Sequence, residues 1–357
     1  MKTRQTEIVV VNPVQPEAEK IEHAASLLRA GEVVVFPTET VYGLGADALQ
    51  VAAVERIFEA KGRPFTDPLI VHIAKLAELE MLVAEVSERA KLLAEAFWPG
   101  PLTLLLPKSP RISDRVTAGL QTIGVRMPRH PIAHALISAL GSPIAAPSAN
   151  RFMHVSPTTA AHVYDDLHGR IPLILDGGPS EVGVESTVLD LSGEVPTILR
   201  PGGISLEDLH RVLPLVELHR PVKHVEDQHT NDRQLAPGQM LTHYAPAVPL
   251  LLFDDSEQAM RAAMLSEIQR RRVQDERVGV LIADEDRATF ESSGAVLYAL
   301  GSVSDLEQVA ARLFAGLRSL ETAGVQVILC RSFGSAGLGL AIRDRLLKAA
   351  SSKVVKN

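Results

Sequence analysis

The segment FPTETVYGLGADA, residues 36–48, constrains this chain more than any other. An apolar strand, Val33–Phe36, runs into Pro37, then the hydroxyl residues Thr38, Thr40 and Tyr42, then Gly43 and Gly45. Glycine lets a backbone approach a ligand closely, and hydroxyls donate and accept hydrogen bonds without carrying charge. The segment therefore suits a small polar ligand held behind a buried strand. The same residues also describe a Gly-rich turn between strand and helix, with Thr and Tyr at its surface.

A chain of 357 residues favours two domains. A formal net charge of −7 argues against a protein that coats nucleic acid through a broad basic face. The single cysteine, Cys330, lies in the apolar run VQVILC and reads as a core residue. MKTRQTEIVVVNP has no signal-peptide core, and no apolar run reaches the ~18 residues of a membrane span. A soluble cytoplasmic protein is the expectation.

Residues 1–215 read as one α/β domain. Strands are expected at Ile8–Val11, Val33–Phe36, Leu69–Ile73, Leu102–Pro107, Pro143–Ala146, Leu173–Leu175, Ser186–Leu191 and Thr197–Leu199. Helices are expected at Glu17–Ala30, Val51–Ala60, Ser87–Phe97, Ile132–Leu140 and Pro157–Tyr164, the last opened by Ser156 as N-cap. Helices do not separate these strands regularly, so a twisted mixed sheet fits better than a doubly wound parallel one. Residues 216–248 are polar and proline-rich, a linker or a lid, in which His219, His224 and His229 recur evenly without the support a metal site needs. Residues 249–357 alternate strand and helix as a small parallel α/β domain. Its GSAGLGLAIRDRL run (334–346) lacks the GxGxxG order and reads as close strand-to-helix packing.

Five segments of the first domain place polar or cationic groups beside strand ends: PTETVYGLG, KGRPFTDPLIVHI, TIGVRMPRHP, APSANRFMHVSPT, and ESTVLD with LRPGG. Lys61, Arg63, Arg126 and Arg200 lie in these rigid loop sequences. Taken singly each suits a surface salt bridge; together they suit a nucleoside triphosphate bound without a P-loop. Thr38, Thr40, Thr122, Ser148, Asn150, Ser156 and Ser186 supply neutral hydroxyls and an amide. His72, inside LIVHI, is a buried core histidine or a substrate contact. No GxSxG elbow anchors a hydrolase triad, and His130 and His134 lack the glutamate of an HExxH zinc pair.

Together FPTETVYGLGADA, KGRP, DPLIVHI, WPGPLTLLL, IGVRMPRHP, APSAN, ESTVLD and LRPGG resemble the YrdC-like family of L-threonylcarbamoyladenylate synthases. HYAP (243–246) and GLGLAIRDRLLKAA resemble its longer, two-domain form. The resemblance implies a YrdC-like twisted mixed sheet followed by a smaller Rossmann-like domain. It implies condensation of L-threonine, bicarbonate or CO2, and ATP to threonylcarbamoyl-AMP and pyrophosphate, with Mg2+ accompanying ATP. The product serves N6-threonylcarbamoyladenosine formation in tRNA, through a downstream threonylcarbamoyl-transferase complex. By this resemblance Lys61, Arg63, Ser148 and Asn150 are the signature groups. Arg63, Thr122, Asn150, Ser156, Arg200 and Tyr244 would lie along ATP. Thr40, His72, Arg126, Ser148 and Ser186 would surround threonine, and Thr38 and Tyr42 would shape the pocket. Asp67 stands where the family commonly has Asn, so it is expected to contact magnesium or the ribose. An RNA-binding module without ATP turnover is the alternative, although no basic stripe or stacking aromatics support stable nucleic-acid binding. A hydrogenase-maturation carbamoyltransferase would need the zinc-finger cysteines that a chain with one cysteine lacks.

Overall fold

The computed structural model describes residues 5–219, 234–238 and 244–355. It divides into two compact units. The first comprises Met1–Phe152, Pro157–Glu181 and Glu185–Gln239; the second comprises Met153–Ser156, Val182–Val184 and Met240–Asn357. His224, His229 and His243 lie outside the described residues.

Strands of the first unit, in chain order, are β1 (Glu7–Val10), β2 (Val34–Phe36), β3 (Gly43–Asp47), β4 (Ile70–His72), β5 (Leu102–Pro107), β6 (Thr122–Arg126), β7 (Ile144–Ala145), β8 (Leu173–Asp176), β9 (Thr187–Asp190), β10 (Thr197–Arg200) and β11 (Glu217–Leu218). They form one sheet in the order β1-β8-β2-β3-β7-β4-β6-β5-β9-β10-β11. Pairing is mixed as expected: β4 and β6 are parallel, whereas β2 with β3, β5 with β6, and β9 with β10 are antiparallel.

Alternation along the strands sorts side chains between two faces. Val71, Leu102, Leu104, Leu106, Ile123, Val125, Leu189 and Ile198 join the large core, against helices such as Val51–Lys61 and Glu88–Phe97. Burying each large apolar side chain contributes ~2 kcal/mol. The intervening Ile70, Leu105, Val188 and Leu199 form a separate small cluster with Ala236. His72, Thr122 and Arg126 share the phase of that second set, so the polar candidates of these strands fall opposite the main core. A register shift between Ile198 and Arg200 bends β10 at its end, next to Arg200.

Two local expectations are corrected. GLGAD is a strand, not only a turn: β3 pairs with β2, Val35 opposite Leu44. A Cβ on Gly45 would lie 2.7 Å from both Ile144 and Phe36, so glycine is what permits this tight pairing. The helix expected from Pro157 instead spans Ala160–Leu167, and Thr159, not Ser156, caps it by accepting from the His162 amide. The Pro157 carbonyl accepts from the Tyr42 amide at 2.9 Å, which takes that carbonyl out of the helical hydrogen-bond ladder.

In the second unit, β12 (Leu250–Phe253), β13 (Val278–Ile282), β14 (Val296–Ala299), β15 (Val327–Arg331) and β16 (Val354–Val355) form an all-parallel sheet, order β14-β13-β15-β12-β16. β15 begins two residues later than the apolar run suggested and carries Cys330, which is buried. No helix among the described residues is long and apolar enough to cross a membrane.

Candidate active site

The KGRP corner starts from a helix end. Val51–Lys61 terminates at Gly62, whose φ of 67° turns the chain so that Lys61 and Arg63 both face inward. Lys61 Nζ donates to the carbonyls of Ser148 and Asn150, each at 2.6 Å, and lies 3.5 Å from Asn150 Oδ1. Ser148 Oγ donates to Asn150 Oδ1 at 2.5 Å. Lys61 therefore pins the SAN loop through its backbone. Burial, and then the Arg63 charge, push the Lys61 ammonium well below its ordinary range; Asp67 and Asp166 act in the opposite sense.

Arg63 donates from Nη2 to the Pro68 carbonyl at 2.7 Å and lies 3.0 Å from Asp67 Oδ2. Burial raises the Asp67 carboxyl, opposed by Arg63, Lys61 and Arg200. Asp67 is thus a buried anion paired with Arg63, and the charges of Lys61 and Arg200 also favour its ionised form.

A second corner forms around Arg126, at the end of β6. Its Nη1 donates to Thr40 Oγ1 at 2.8 Å, its Nε donates to the Gly100 carbonyl at 3.2 Å, and its Nη2 lies 2.8 Å from Glu39 Oε2. Thr40 Oγ1 also lies 2.8 Å from Thr38 Oγ1, which donates to the Val41 carbonyl at 2.7 Å and so fixes the PTET turn. His72 stands opposite Arg126 in register, edge-on to Phe36. Burial, followed by the Arg126 charge, lowers the His72 imidazole to about 3, so it is neutral at physiological pH. Its Nδ1 is buried and has no hydrogen-bond partner among the described residues.

A third corner joins Arg200 to Ser186. Arg200 donates to the Ser186 carbonyl from Nε and Nη2 and to Ser186 Oγ from Nη2 at 3.1 Å. Its Nη1 donates to the Pro237 carbonyl at 3.1 Å. Residues 234–238 thus reach this face, with Ala236 fully buried. Ser186 Oγ is 2.8 Å from Thr103 Oγ1.

The remaining candidates differ in place. Tyr42 donates to the Gly178 carbonyl at 2.6 Å, and its buried hydroxyl has a raised pKa, through burial and then Asp176. Thr122 opens β6 opposite Pro107. Ser156 belongs to the second unit, as does Tyr244, whose ring is buried against Phe314 and under the Arg345 guanidinium. Sequence reasoning passed over Glu39 and Thr103, and placed 234–238 only within the 216–248 linker or lid. A carboxylate standing between Thr38 and Thr40 was the available signal for Glu39.

A family model described as "Telomere recombination" matches residues 26–202, and one described as "Threonylcarbamoyl-AMP synthase, C-terminal domain" matches residues 204–351. The threonylcarbamoyl-AMP synthase of Bacillus subtilis is 46% identical over 357 residues, which cover 100% of each chain. That of Pyrococcus abyssi is 44% identical over 94% of this chain and 96% of its own. The crystal structure of P. abyssi Sua5 complexed with L-threonine matches with a TM-score of 0.90 at 42% identity, covering 98% of this chain and 99% of that one.

Proposed function

The chain belongs to the threonylcarbamoyl-AMP synthase family, and from that membership we propose how the polar face of its first unit carries out the reaction. The family makes it a nucleotidyltransferase-type enzyme, and the RNA-binding alternative gives way to that reading. The substrates would be ATP, L-threonine, and bicarbonate or CO2. The neutral threonine amine adds to the carbon of CO2 and its surplus proton passes to solvent, giving a carbamate. A carbamate oxygen then attacks the α-phosphorus of ATP, and the bond to the departing pyrophosphate breaks.

The observation that carries this reading is the convergence of Arg63, Arg126 and Arg200, all buried, on hydroxyl-rich loops of one sheet. Arg126, with Thr40 and His72 beside it, suits an amino-acid carboxylate. Arg63, paired with Asp67, and Arg200, held by Ser186, suit the phosphates. Ser186 lies between the Arg200 corner and Thr103, and Asn150 and Ser148 are held by Lys61. Catalysis then rests on fixed positions and on cationic stabilisation of developing charge.

Among the described residues no cluster of three or more His, Cys, Asp or Glu side chains forms a metal site. Magnesium commonly binds through one or two carboxylates plus substrate phosphates, and the buried Asp67 carboxylate fits that donor set. Mg2+ would arrive with ATP and neutralise the leaving pyrophosphate. The product would pass to a downstream tRNA threonylcarbamoyl-transferase, without stable nucleic-acid binding by this chain. The test is pyrophosphate release from ATP and magnesium with threonine and bicarbonate omitted in turn. A requirement for both supports the reaction; release that needs neither rejects it.

A further inference from the structure

Glu39 and Arg126 stand out among the buried groups of the first unit. They are 2% and 4% exposed, and 2.8 Å separates Glu39 Oε2 from Arg126 Nη2. Yet the pair is not aligned as a hydrogen bond. Among the described residues both Glu39 oxygens and Arg126 Nη2 lack a hydrogen-bond partner. The rest of the guanidinium is committed, through Nε to the Gly100 carbonyl and through Nη1 to Thr40 Oγ1. This corner therefore presents one unspent cationic donor next to one unspent anionic acceptor. Leaving such atoms unsatisfied when buried is costly.

From this geometry we infer that Glu39 and Arg126 together form a receptor for the zwitterion of the amino-acid substrate, in which Glu39 holds the amine end. This rests on the reading that the site binds threonine. The substrate carboxylate accepts from Arg126 Nη2, and the ammonium donates to Glu39. One misaligned intramolecular pair is replaced by two charge-assisted hydrogen bonds. A zwitterion is neutral overall, so the buried site gains no net charge. A carboxylic acid without the amine behaves differently: it takes Arg126 from Glu39 and leaves a buried carboxylate with no cation.

The neighbouring imidazoles do not substitute for the amine. His72 is neutral, and His130 uses Nδ1 to accept from the Ile132 amide at a helix start. When the substrate amine loses its proton before carbamate formation, its N–H groups still donate to Glu39. The same contact thus orients the lone pair for attack.

The test is calorimetric binding of two ligands to wild type and Glu39→Gln: L-threonine, and 2,3-dihydroxybutanoate, in which a hydroxyl replaces the amine. Wild type is expected to prefer threonine by about 100-fold, the scale of a buried charge-assisted contact. Glu39→Gln should reduce that preference to about 10-fold or less, mainly through weaker threonine binding. A preference as large as in wild type, even with both affinities lowered together, overturns the inference and leaves Glu39 as a prop for Arg126. Should Glu39→Gln not fold, Glu39→Asp serves: weaker threonine binding with the amine preference kept is expected, and unchanged affinity overturns. Wild type that binds no threonine overturns the substrate reading, and this inference with it.

Discussion

Two buried ion pairs, Asp286 with Arg331 in the second unit and Glu39 with Arg126 in the first, are used in opposite ways. In the second unit, Asp286 accepts from Arg261 Nε at 2.7 Å, from Arg331 Nη1 at 3.1 and 2.9 Å on its two oxygens, and from the Ala283 amide. Arg343 Nη2 also donates to Asp254 Oδ2 at 2.8 Å. In the first unit, Arg126 is held largely by neutral oxygens and meets Glu39 without an aligned hydrogen bond, while neither Asp67 oxygen has a hydrogen-bond partner among the described residues. A structural cluster spends its hydrogen-bonding capacity internally. A site holds its cations in place with backbone and hydroxyl oxygens and keeps capacity for a ligand.

Truncating the substrate-facing cations tests this contrast most severely. Arg126→Ala or Arg63→Ala is expected to lower pyrophosphate release by about 1,000-fold or more. Arg63→Ala should also lose about 3 kcal/mol of unfolding free energy, because Asp67 is left buried without its partner. Burial of both partners of the Arg63–Asp67 pair sets that stability cost. The double variant Arg63→Met/Asp67→Asn should recover the stability in a urea melt and not the rate.

Asp286→Ala is the complementary cut. It should cost about 3 kcal/mol in the same melt, since Arg331 loses a bidentate partner, with KM for ATP and threonine unchanged. A large KM change would break the contrast between the units.

Acid should act on the first unit through His72. The unfolded imidazole titrates near 6.5 and the folded one at about 3, so the unfolded chain binds more protons between those values. The stability of neutral burial is complete above pH 6.5 and is lost as pH falls towards 3. Comparing urea melts at pH 7 and 4.5, wild type should lose about 3 kcal/mol more than His72→Leu.

The smallest expected effect belongs to Asp67. Its carboxyl is raised, chiefly by burial, so the folded state binds the extra proton and stability falls as pH rises through the folded pKa. Asp67→Asn removes a costly buried charge but also takes the ion-pair partner from the buried Arg63, so the two effects offset and unfolding free energy at neutral pH should change by less than about 1 kcal/mol. Unchanged magnesium and ATP dependence in that variant would remove Asp67 from the nucleotide site.

Much of the fold was legible because apolar periodicity is local. Leu102–Pro107 occurs as expected, and the helix Glu17–Ala30 differs only at its ends. GLGAD was not legible as a strand, because a glycine-rich strand has no alternation to display; β2 and Ile144 around it supply the reason. The helix after Ser156 started late because a distant amide, that of Tyr42, claimed the Pro157 carbonyl.

The amino-acid sequence by itself determined the fold class, the family, and the set of cations and hydroxyls, since periodicity and ordered motifs are carried by residues near in sequence. Tertiary structure alone decided how those groups are spent. Lys61 clasps a loop 87 residues away, Arg126 meets Thr40 86 residues back, and Glu39 enters the site as Arg126's partner. Such pairings depend on which strands the sheet brings together and on the burial that makes each unsatisfied charge costly, and neither is written in local sequence.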